Sequence, residues 1–185
     1  KYINMTNYTF RQFLENKLNK ETYIEPNIDD WVNHLSTLFP QVRLKQFLEI
    51  RSMDACSWDL ICSQPAFWIG LLYNEKAFDK AQELVESWTQ DDRNYINKIA
   101  PKEGLQAKFK DGTILDVAQK LFEISKQGLD ARNILARNKS YNETFYLKDL
   151  ENNLASGNSP ADLLINKFNT NWNQDIKKIY SENIF

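Results

Sequence analysis

The sequence predicts an α+β protein in which helices predominate. Apolar residues recur at helical spacing through most of the 185 residues, whereas one stretch alternates apolar and polar side chains as a strand does. Capping residues with a partner three positions later mark most helix starts. The length and a hydrophobic content of 42% are enough to bury one sizeable core. We therefore expect a globular chain with a short antiparallel sheet followed by a mainly helical region.

Composition excludes several classes of function. The 25 acidic and 23 basic side chains give a net charge of -2, so no bulk charge attracts nucleic acid or an anionic lipid surface. The longest apolar run, residues 66–73, is about half of the roughly 18 residues that a membrane helix needs. We expect neither a nucleic-acid nor a membrane partner.

Cysteine usage points to a reducing compartment. Cys56 and Cys62, together with one histidine, cannot form a disulfide framework or complete a four-ligand zinc site. We expect two free, buried thiols, with a regulatory disulfide between them as the alternative. The expected location is the cytoplasm, or an organelle if a transit peptide precedes the chain. Residue 1 is lysine and KYINM resembles the middle of a strand, so we expect a piece of a longer polypeptide.

Residues 1–56 contain the predicted sheet. Residues 2–5 are a candidate strand. A stronger candidate strand follows a helix that ends near Pro40. Two helices begin at capping pairs: Thr9 with Gln12, and Asn27 with Asp30. The convincing strand runs from Gln46 to Arg51, because its side chains alternate between two faces. One face carries Phe47, Glu49 and Arg51, and the other carries Leu48 and Ile50.

Residues 57–185 are predicted to be mainly helical. One helix covers Ser57 to Gln64, and Pro65 begins the next, since proline suits a first helical turn. A further helix covers residues 75–87, and Asp111-Gly112 marks a turn. Glycine C-caps close two helices: Gly128 after residues 114–127, and Gly157 after residues 144–156. Three more starts carry hydroxyl–aspartate caps: Thr89 with Asp92, Thr113 with Asp116, and Ser159 with Asp162.

Alternation alone establishes only that Glu49 and Arg51 share a face. In a half-buried strand such a face normally points to solvent, where a charge pair contributes little. The alternative is a carboxylate and a guanidinium that project into a cleft, suited to Mg²⁺ and to a phosphoryl group respectively. The sequence has neither a P-loop nor a GxGxxG motif, so phosphate handling would fall to charged side chains or a metal ion.

An ordered series of segments runs along the chain: FRQFLENKL, WVNHLSTLFPQVRLKQFLEIRSMD, SQPAFWIGLLYNE, SWTQDDRN, PKEGLQAKFKDG, LFEISKQGLDAR, ETFYLKDL and SGNSPADLL. In order and spacing this series resembles the plant-type and proteobacterial glutamate-cysteine ligases. The similarity extends from residue 1 almost to the end, and it covers the carboxy-terminal portion of that family. The pattern departs from the family at Ser52, Ala55 and Cys56, where glycines are usual, so we expect a different turn after the strand.

The resemblance implies a fold, a reaction and partners. The fold would be of the glutamine synthetase type, with residues 1–56 as the end of the catalytic sheet and residues 57–185 as helices packed on it, both within one larger catalytic domain. The reaction would phosphorylate the γ-carboxylate of glutamate with ATP and Mg²⁺ and couple it to the cysteine amine. The resemblance also implies that the rest of the polypeptide lies upstream and that these 185 residues alone are inactive.

The same resemblance assigns roles to residues of the strand and its flanks. Glu49 falls at the metal-binding glutamate, and Arg51 at the arginine that neutralises the transferred phosphate. Arg43 and Lys45 are candidates for ATP phosphate binding, with surface positions or ion pairs as the alternative. Asp54 is a candidate for ordering the site.

Other singled-out side chains are expected to be structural. His34 falls at a family histidine, but its helix neighbours favour a packed ring over a general base. The helical spacing of four aromatic residues favours core packing over a platform for stacking bases: Trp58, Phe67, Trp68 and Trp88.

Two other functions stay open. One is a related ligase that couples glutamate to another amine, because the acceptor pocket would lie partly outside these residues. The other is a non-catalytic helical interaction domain, in which Glu49 and Arg51 form a surface pair.

Overall fold

A computed structural model of the chain describes residues 5–17, 25–54, 56–137 and 140–182. It divides into two compact units, residues 1–53 and residues 54–185. Within the described residues, helices alternate with two small antiparallel hairpins. The predicted α+β class is therefore confirmed.

The first unit contains two helices and one hairpin. The helices are α1 (Phe10–Leu14) and α2 (Ile28–Ser36), and the strands are β1 (Val42–Leu44) and β2 (Leu48–Ile50). Both predicted capping boxes are present, at Thr9 and at Asn27. The strand candidate at residues 2–5 lies outside the described residues except for Met5, which is not in a strand.

The hairpin refines the predicted strand. β1 and β2 pair antiparallel, with Val42 opposite Ile50, Arg43 opposite Glu49, and Leu44 opposite Leu48. The strand predicted over residues 46–51 is shorter than expected, because residues 45–47 form the turn that joins the two strands. The segment of Arg43 is itself a strand and supplies the partner for β2.

The second unit is mainly helical. Its long helices are α3 (Trp58–Leu72), α4 (Glu75–Glu86), α5 (Gln90–Glu103) and α6 (Ile114–Arg132), and shorter ones follow as α7 (Lys148–Ser156), α8 (Pro160–Thr170) and α9 (Lys178–Glu182). A hairpin of β3 (Lys108–Phe109) and β4 (Gly112–Thr113) precedes α6, and 3-10 turns occupy Gly104–Gln106 and Glu143–Leu147. The three predicted hydroxyl–aspartate capping boxes are all present.

The predicted helix start at Pro65 is wrong. Helix α3 continues through Pro65 from Trp58 to Leu72. Proline in a helix interior removes one backbone hydrogen bond and crowds the preceding turn. Packing outweighs this cost, because Ala66, Gly70 and Leu71 of the same helix are buried.

The predicted C-cap at Gly128 is also wrong. Helix α6 runs through Gly128 and ends at Arg132, and Asn133 takes the left-handed C-cap conformation with φ 49° and ψ 39°. Gly128 instead allows α6 to approach α3 closely, since an added Cβ at this position would meet the backbone oxygen of Gly70 in α3. The other predicted glycine cap is confirmed, since Gly157 closes α7 with φ 68°.

The core of the second unit forms where α3 crosses α6. Its buried members are Ala66, Phe122, Leu129, Leu147 and Leu154. Two buried serines fix the packing, since the Ser125 hydroxyl donates to the Phe67 carbonyl oxygen at 2.8 Å and the Ser63 hydroxyl lies 2.6 Å from the Tyr146 carbonyl oxygen. These bonds join helices through side chain and backbone, so the crossing is held in one register.

The expectation of aromatic core packing is confirmed in part. Phe67 packs against the core, and the Trp88 ring meets the Phe109 ring edge to face at 4.9 Å. Trp58 is 69% exposed and is not a core residue. Trp172 is the fully buried tryptophan of the described residues.

None of the described helices combines the length and the apolar character needed to cross a lipid bilayer.

Candidate functional site

The β1–β2 hairpin brings Arg43 and Glu49 together. They lie opposite each other on neighbouring strands, where side chains on one face are in direct reach. The Nε and Nη2 atoms of Arg43 donate to Oε2 of Glu49 at 2.8 and 2.7 Å. Both contacts are to the same carboxylate oxygen. The two side chains are 25% and 32% exposed, which makes this a partly buried ion pair.

The surroundings of Glu49 keep it ionised. The hydrogen bond from Arg43 is the largest cause that lowers the pKa of the Glu49 carboxyl below its usual value, and the positive charges of Lys45 and Arg51 lower it further. Desolvation is the second-largest influence on this pKa and acts in the opposite direction, but the net shift is downward. Glu49 is therefore an anionic oxygen donor among three cations at neutral pH.

Arg51 continues the same alternation beyond β2. Its backbone N–H donates to the Gln41 carbonyl oxygen at 2.8 Å, which extends the hairpin pairing. Its guanidinium carbon lies 5.2 Å from the centroid of the Phe39 ring. Its Nη1 atom is buried and has no hydrogen-bond partner among the described residues. A buried guanidinium donor of this kind suits an anionic ligand such as a phosphoryl oxygen.

The remaining predicted site residues are less closely placed. Lys45 lies in the turn between the strands, and its ammonium is 5.9 Å from the centroid of the Phe47 ring. Asp54 belongs to the second unit, where its carbonyl oxygen accepts a hydrogen bond from the Gln64 side chain at 3.2 Å. The structure thus gathers Arg43, Lys45, Glu49 and Arg51 on one hairpin, and the role of Asp54 stays a prediction.

The opposite face of the hairpin is apolar and open. Val42, Leu44 and Leu48 are 51%, 79% and 64% exposed. The hairpin therefore has one charged face and one apolar face. A two-stranded hairpin has little stability of its own, and its apolar face is of the kind that packs on further protein.

A metal ion would find one carboxylate ligand on this hairpin. Across the described ranges, no three or more His, Cys, Asp or Glu side chains lie close enough together to hold a metal ion. Mg²⁺ is usually held by one or two carboxylates, with waters and substrate phosphates completing its octahedron. Glu49 fits as one contributor to such a site.

His34 and the cysteines have structural surroundings. The His34 ring stacks on the Phe10 ring with centroids 4.4 Å apart and also contacts Trp31, as expected for a packed histidine. Cys56 and Cys62 are free thiols, as predicted, although each is half-buried rather than buried. The Gln64 side-chain nitrogen lies 3.1 Å from the Cys56 sulfur. Ala55 falls outside the described residues.

Comparison with known proteins identifies the family. The sequence profile of glutamate-cysteine ligase family 2 (GCS2) matches residues 6–182. The chain belongs to this family. All 185 residues align with glutamate-cysteine ligase A, chloroplastic, of Oryza sativa subsp. indica at 35% identity, over 36% of that protein. They align with the chloroplastic glutamate-cysteine ligases of Arabidopsis thaliana at 36% and of Solanum lycopersicum at 34%, each over 34% of the relative.

Two facts follow from these glutamate-cysteine ligase relatives. The chain spans about a third of the length of the curated relatives that it matches. The expected cytoplasmic location is wrong, because the relatives are named as chloroplastic enzymes. The thiol content that motivated that expectation reports a reducing compartment and does not distinguish cytosol from plastid.

Sequence reasoning found Glu49 and Arg51 and left an ion pair open for Arg43, but it did not identify the partner of Arg43 or the contact of Phe39. The direct bond of Arg43 to Glu49 needs the strand register, which no local pattern specified. The contact of Phe39 with Arg51 joins a residue before β1 to one after β2. A signal was present for the first pair, since a hairpin centred on the residues between the two strands places Arg43 opposite Glu49. Phe39 lies two residues before Gln41, the residue that faces Arg51.

Proposed function

We propose that this chain is the carboxy-terminal part of an ATP-dependent glutamate-cysteine ligase, and that the charged face of its hairpin forms one wall of the phosphoryl-transfer site. Family membership supports the reaction class. The observation that carries the site assignment is the buried, unpartnered Nη1 of Arg51 on the same hairpin as the ionised Glu49. An isolated surface pair would leave no buried donor.

The proposed reaction has two steps. An oxygen of the glutamate γ-carboxylate attacks the γ-phosphorus of ATP, and ADP departs, which leaves an acyl phosphate. The cysteine amine then attacks the acyl carbon and gives up a proton to solvent, and inorganic phosphate departs with the electron pair of the C–O bond. Mg²⁺, when bound, supplies neutralisation of the phosphate charge.

Each hairpin residue has a defined task in this proposal. Arg51 donates hydrogen bonds to the transferred phosphoryl group, whose charge grows on its equatorial oxygens. Phe39 stacks on the guanidinium and limits its motion. Glu49 provides an anionic oxygen for the cation, and Lys45 contributes positive potential from the turn.

The proposed fold is the glutamine synthetase type, in which an antiparallel sheet presents its charged side chains to substrates. The β1–β2 hairpin would be its last part, and its exposed Val42, Leu44 and Leu48 would pack on the rest of the polypeptide. We accordingly propose that the remaining ligands and the binding sites for glutamate, cysteine and ATP lie largely outside these 185 residues, and that the isolated chain has no ligase activity.

The test uses the complete ligase that contains these residues. Glu49→Gln and Arg51→Lys should each lower kcat by at least about tenfold in an assay of ADP release that depends on glutamate and cysteine. Lys17→Met is the control in the same unit, because Lys17 pairs with Glu15 on an exposed surface. Parallel assays with other amino acids as acceptors test the choice of cysteine. Full activity of both hairpin variants would refute the site assignment.

A further inference from the structure

The Arg43 guanidinium is already committed within the hairpin. Its Nε and Nη2 atoms both bond to Oε2 of Glu49, at 2.8 and 2.7 Å. An arginine held through Nε and one Nη atom keeps three of its five N–H donors, one on Nη2 and two on Nη1. A phosphate group could reach only these three donors without breaking the pair. One edge of the Arg43 guanidinium is therefore bound to Glu49, and its contact with an ATP phosphate stays a prediction.

The pair is also better fixed than an ordinary surface ion pair. Exposed pairs lose their attraction to solvent screening and side-chain freedom. Here the two side chains are 25% and 32% exposed, and both extend from directly opposed positions of an antiparallel hairpin. The strand register sets the distance between the backbones, so little freedom is left to the carboxylate.

The effect on Glu49 is to make its two oxygens unequal. Both of the close contacts from the guanidinium are to Oε2. Carboxylates that bind metal ions are usually held by hydrogen bonds to a neighbouring side chain, which fixes their orientation. Mg²⁺ tolerates little deviation from octahedral geometry, so an oriented, single-oxygen donor suits it better than a mobile carboxylate.

We propose that Arg43 is a positioning residue: it holds Oε2 of Glu49 so that Oε1 is the single oxygen offered to a divalent cation. This inference rests on the proposed metal role of Glu49. It replaces direct contact between Arg43 and nucleotide with an action through Glu49. Loss of such a holding residue typically weakens metal binding by about 10- to 100-fold.

The experiment measures Mn²⁺ binding to the complete ligase by electron paramagnetic resonance without nucleotide, together with the KM for ATP. Arg43→Met should weaken Mn²⁺ binding by about 10- to 100-fold and leave the KM for ATP at saturating metal nearly unchanged. Arg43→Lys should fall between wild type and Arg43→Met, since an ammonium can bond Oε2 but does not hold two donors in a rigid planar fork. Arg43→Lys also serves if Arg43→Met does not fold.

Arg132→Met is the matched control. Arg132 donates from Nε to Glu143 Oε2 at 3.2 Å, and both side chains are 20% exposed, so this Arg–Glu pair has similar burial in the other unit. It should change stability without changing Mn²⁺ affinity. A double variant completes the cycle, because Arg43→Met should add no further loss of Mn²⁺ binding in a Glu49→Gln background.

The outcomes separate this inference from the proposed function. If Glu49→Gln weakens Mn²⁺ binding and Arg43→Met does not, the positioning role is overturned and the metal role of Glu49 survives. A raised KM for ATP in Arg43→Met with unchanged Mn²⁺ affinity would show that Arg43 contacts nucleotide instead. If Glu49→Gln binds Mn²⁺ like wild type, the metal role of Glu49 fails, and the inference fails with it.

Discussion

The backbone oxygen of Gly70 in α3 occupies the space that a Cβ atom would need at Gly128 in α6. Ser125, one turn earlier on α6, is completely buried and bonds to the Phe67 carbonyl oxygen of α3. The two helices therefore meet backbone to backbone, and the absence of a side chain at position 128 sets their separation.

Gly128→Ala should destabilise the protein. Alanine favours the helix by about 1 kcal/mol over glycine, but the new methyl group meets rigid backbone, and overpacking of this kind costs about 1–3 kcal/mol. Because no flexible side chain can move aside, we expect a net loss of about 1 kcal/mol, measured by urea unfolding. Lys120→Ala, an exposed change on the same helix, should be near neutral, and equal stability of the two variants would contradict this account.

Pro65→Ala should stabilise the protein. Pro65 is exposed and lies inside α3, where it removes a backbone hydrogen bond. Relative to alanine, proline costs about 3 kcal/mol in a helix interior and returns about 1 kcal/mol by restricting the unfolded chain. The expected gain is about 2 kcal/mol, seen as a higher melting temperature. Pro160→Ala is the contrast, since Pro160 occupies the first turn of α8 and its replacement should give no gain.

Asn133 should tolerate glycine but not alanine. It ends α6 in the left-handed region, with φ 49°, where a Cβ atom clashes with the backbone unless the side chain compensates. Asn133→Ala should cost about 1 kcal/mol, whereas Asn133→Gly should be neutral or slightly stabilising. Thermal unfolding of the two variants side by side measures the difference, and a larger loss for glycine would show that the Asn133 side chain matters in another way.

Asp162 should give α8 a stability that depends on pH. The hydroxyl and backbone N–H of Ser159 donate to its carboxylate, and these bonds lower the pKa of Asp162 below its usual value. A carboxyl with a lowered folded-state pKa stabilises the fold above its unfolded pKa of about 3.9 and loses that contribution as pH falls through the lower folded value.

Asp162→Asn should therefore be less stable than wild type at pH 7, and the gap should close below about pH 4. Denaturant unfolding over a pH series measures it. Asp59→Asn offers a control, because Asp59 lies in the first turn of α3 and the N-cap of that helix makes no side-chain bond. A gap between Asp162→Asn and wild type that stays constant with pH would rule out the carboxylate as its source.

Phe39→Leu should reduce turnover in the complete ligase more than substrate binding. The Arg51 guanidinium lies 5.2 Å from the Phe39 ring centroid, and such contacts are worth about 0.5–1 kcal/mol at open sites. If the stack holds Arg51 for phosphoryl transfer, kcat should fall about two- to fivefold. Phe39→Trp retains a ring face and should keep most of the activity. Equal losses for leucine and tryptophan would argue against stacking.

Local chemistry was readable in the sequence. The capping boxes at Thr9, Asn27, Thr89, Thr113 and Ser159 were all predicted correctly, because each links a side chain to a backbone three residues away. The central residues of the predicted strand, which form β2, were predicted correctly for the same reason, since the alternation of side chains is set by neighbouring residues.

Features that depend on a distant partner were not readable. Glycine is typical of a helix end, but Gly128 lies inside α6 because it makes close contact with Gly70 in another helix. Pro65 resembles a helix start, but packing of α3 outweighs its local preference. The Arg43–Glu49 pair required the register of two strands, and the roles of Glu49 and Arg51 rest on family resemblance rather than on their pattern.

The two unlike faces of the β1–β2 hairpin place a constraint on chain length. Because successive side chains alternate, removing or adding one residue in the turn at 45–47 would shift the register, and Glu49 would no longer lie opposite Arg43. A shift of one position would turn the charged side chains to the face that Leu44 and Leu48 now occupy. Most substitutions in this turn would leave the strand pairing intact, whereas an insertion or deletion would change which residues lie opposite each other. Among related sequences, the number of residues between these strands should vary less than their identity.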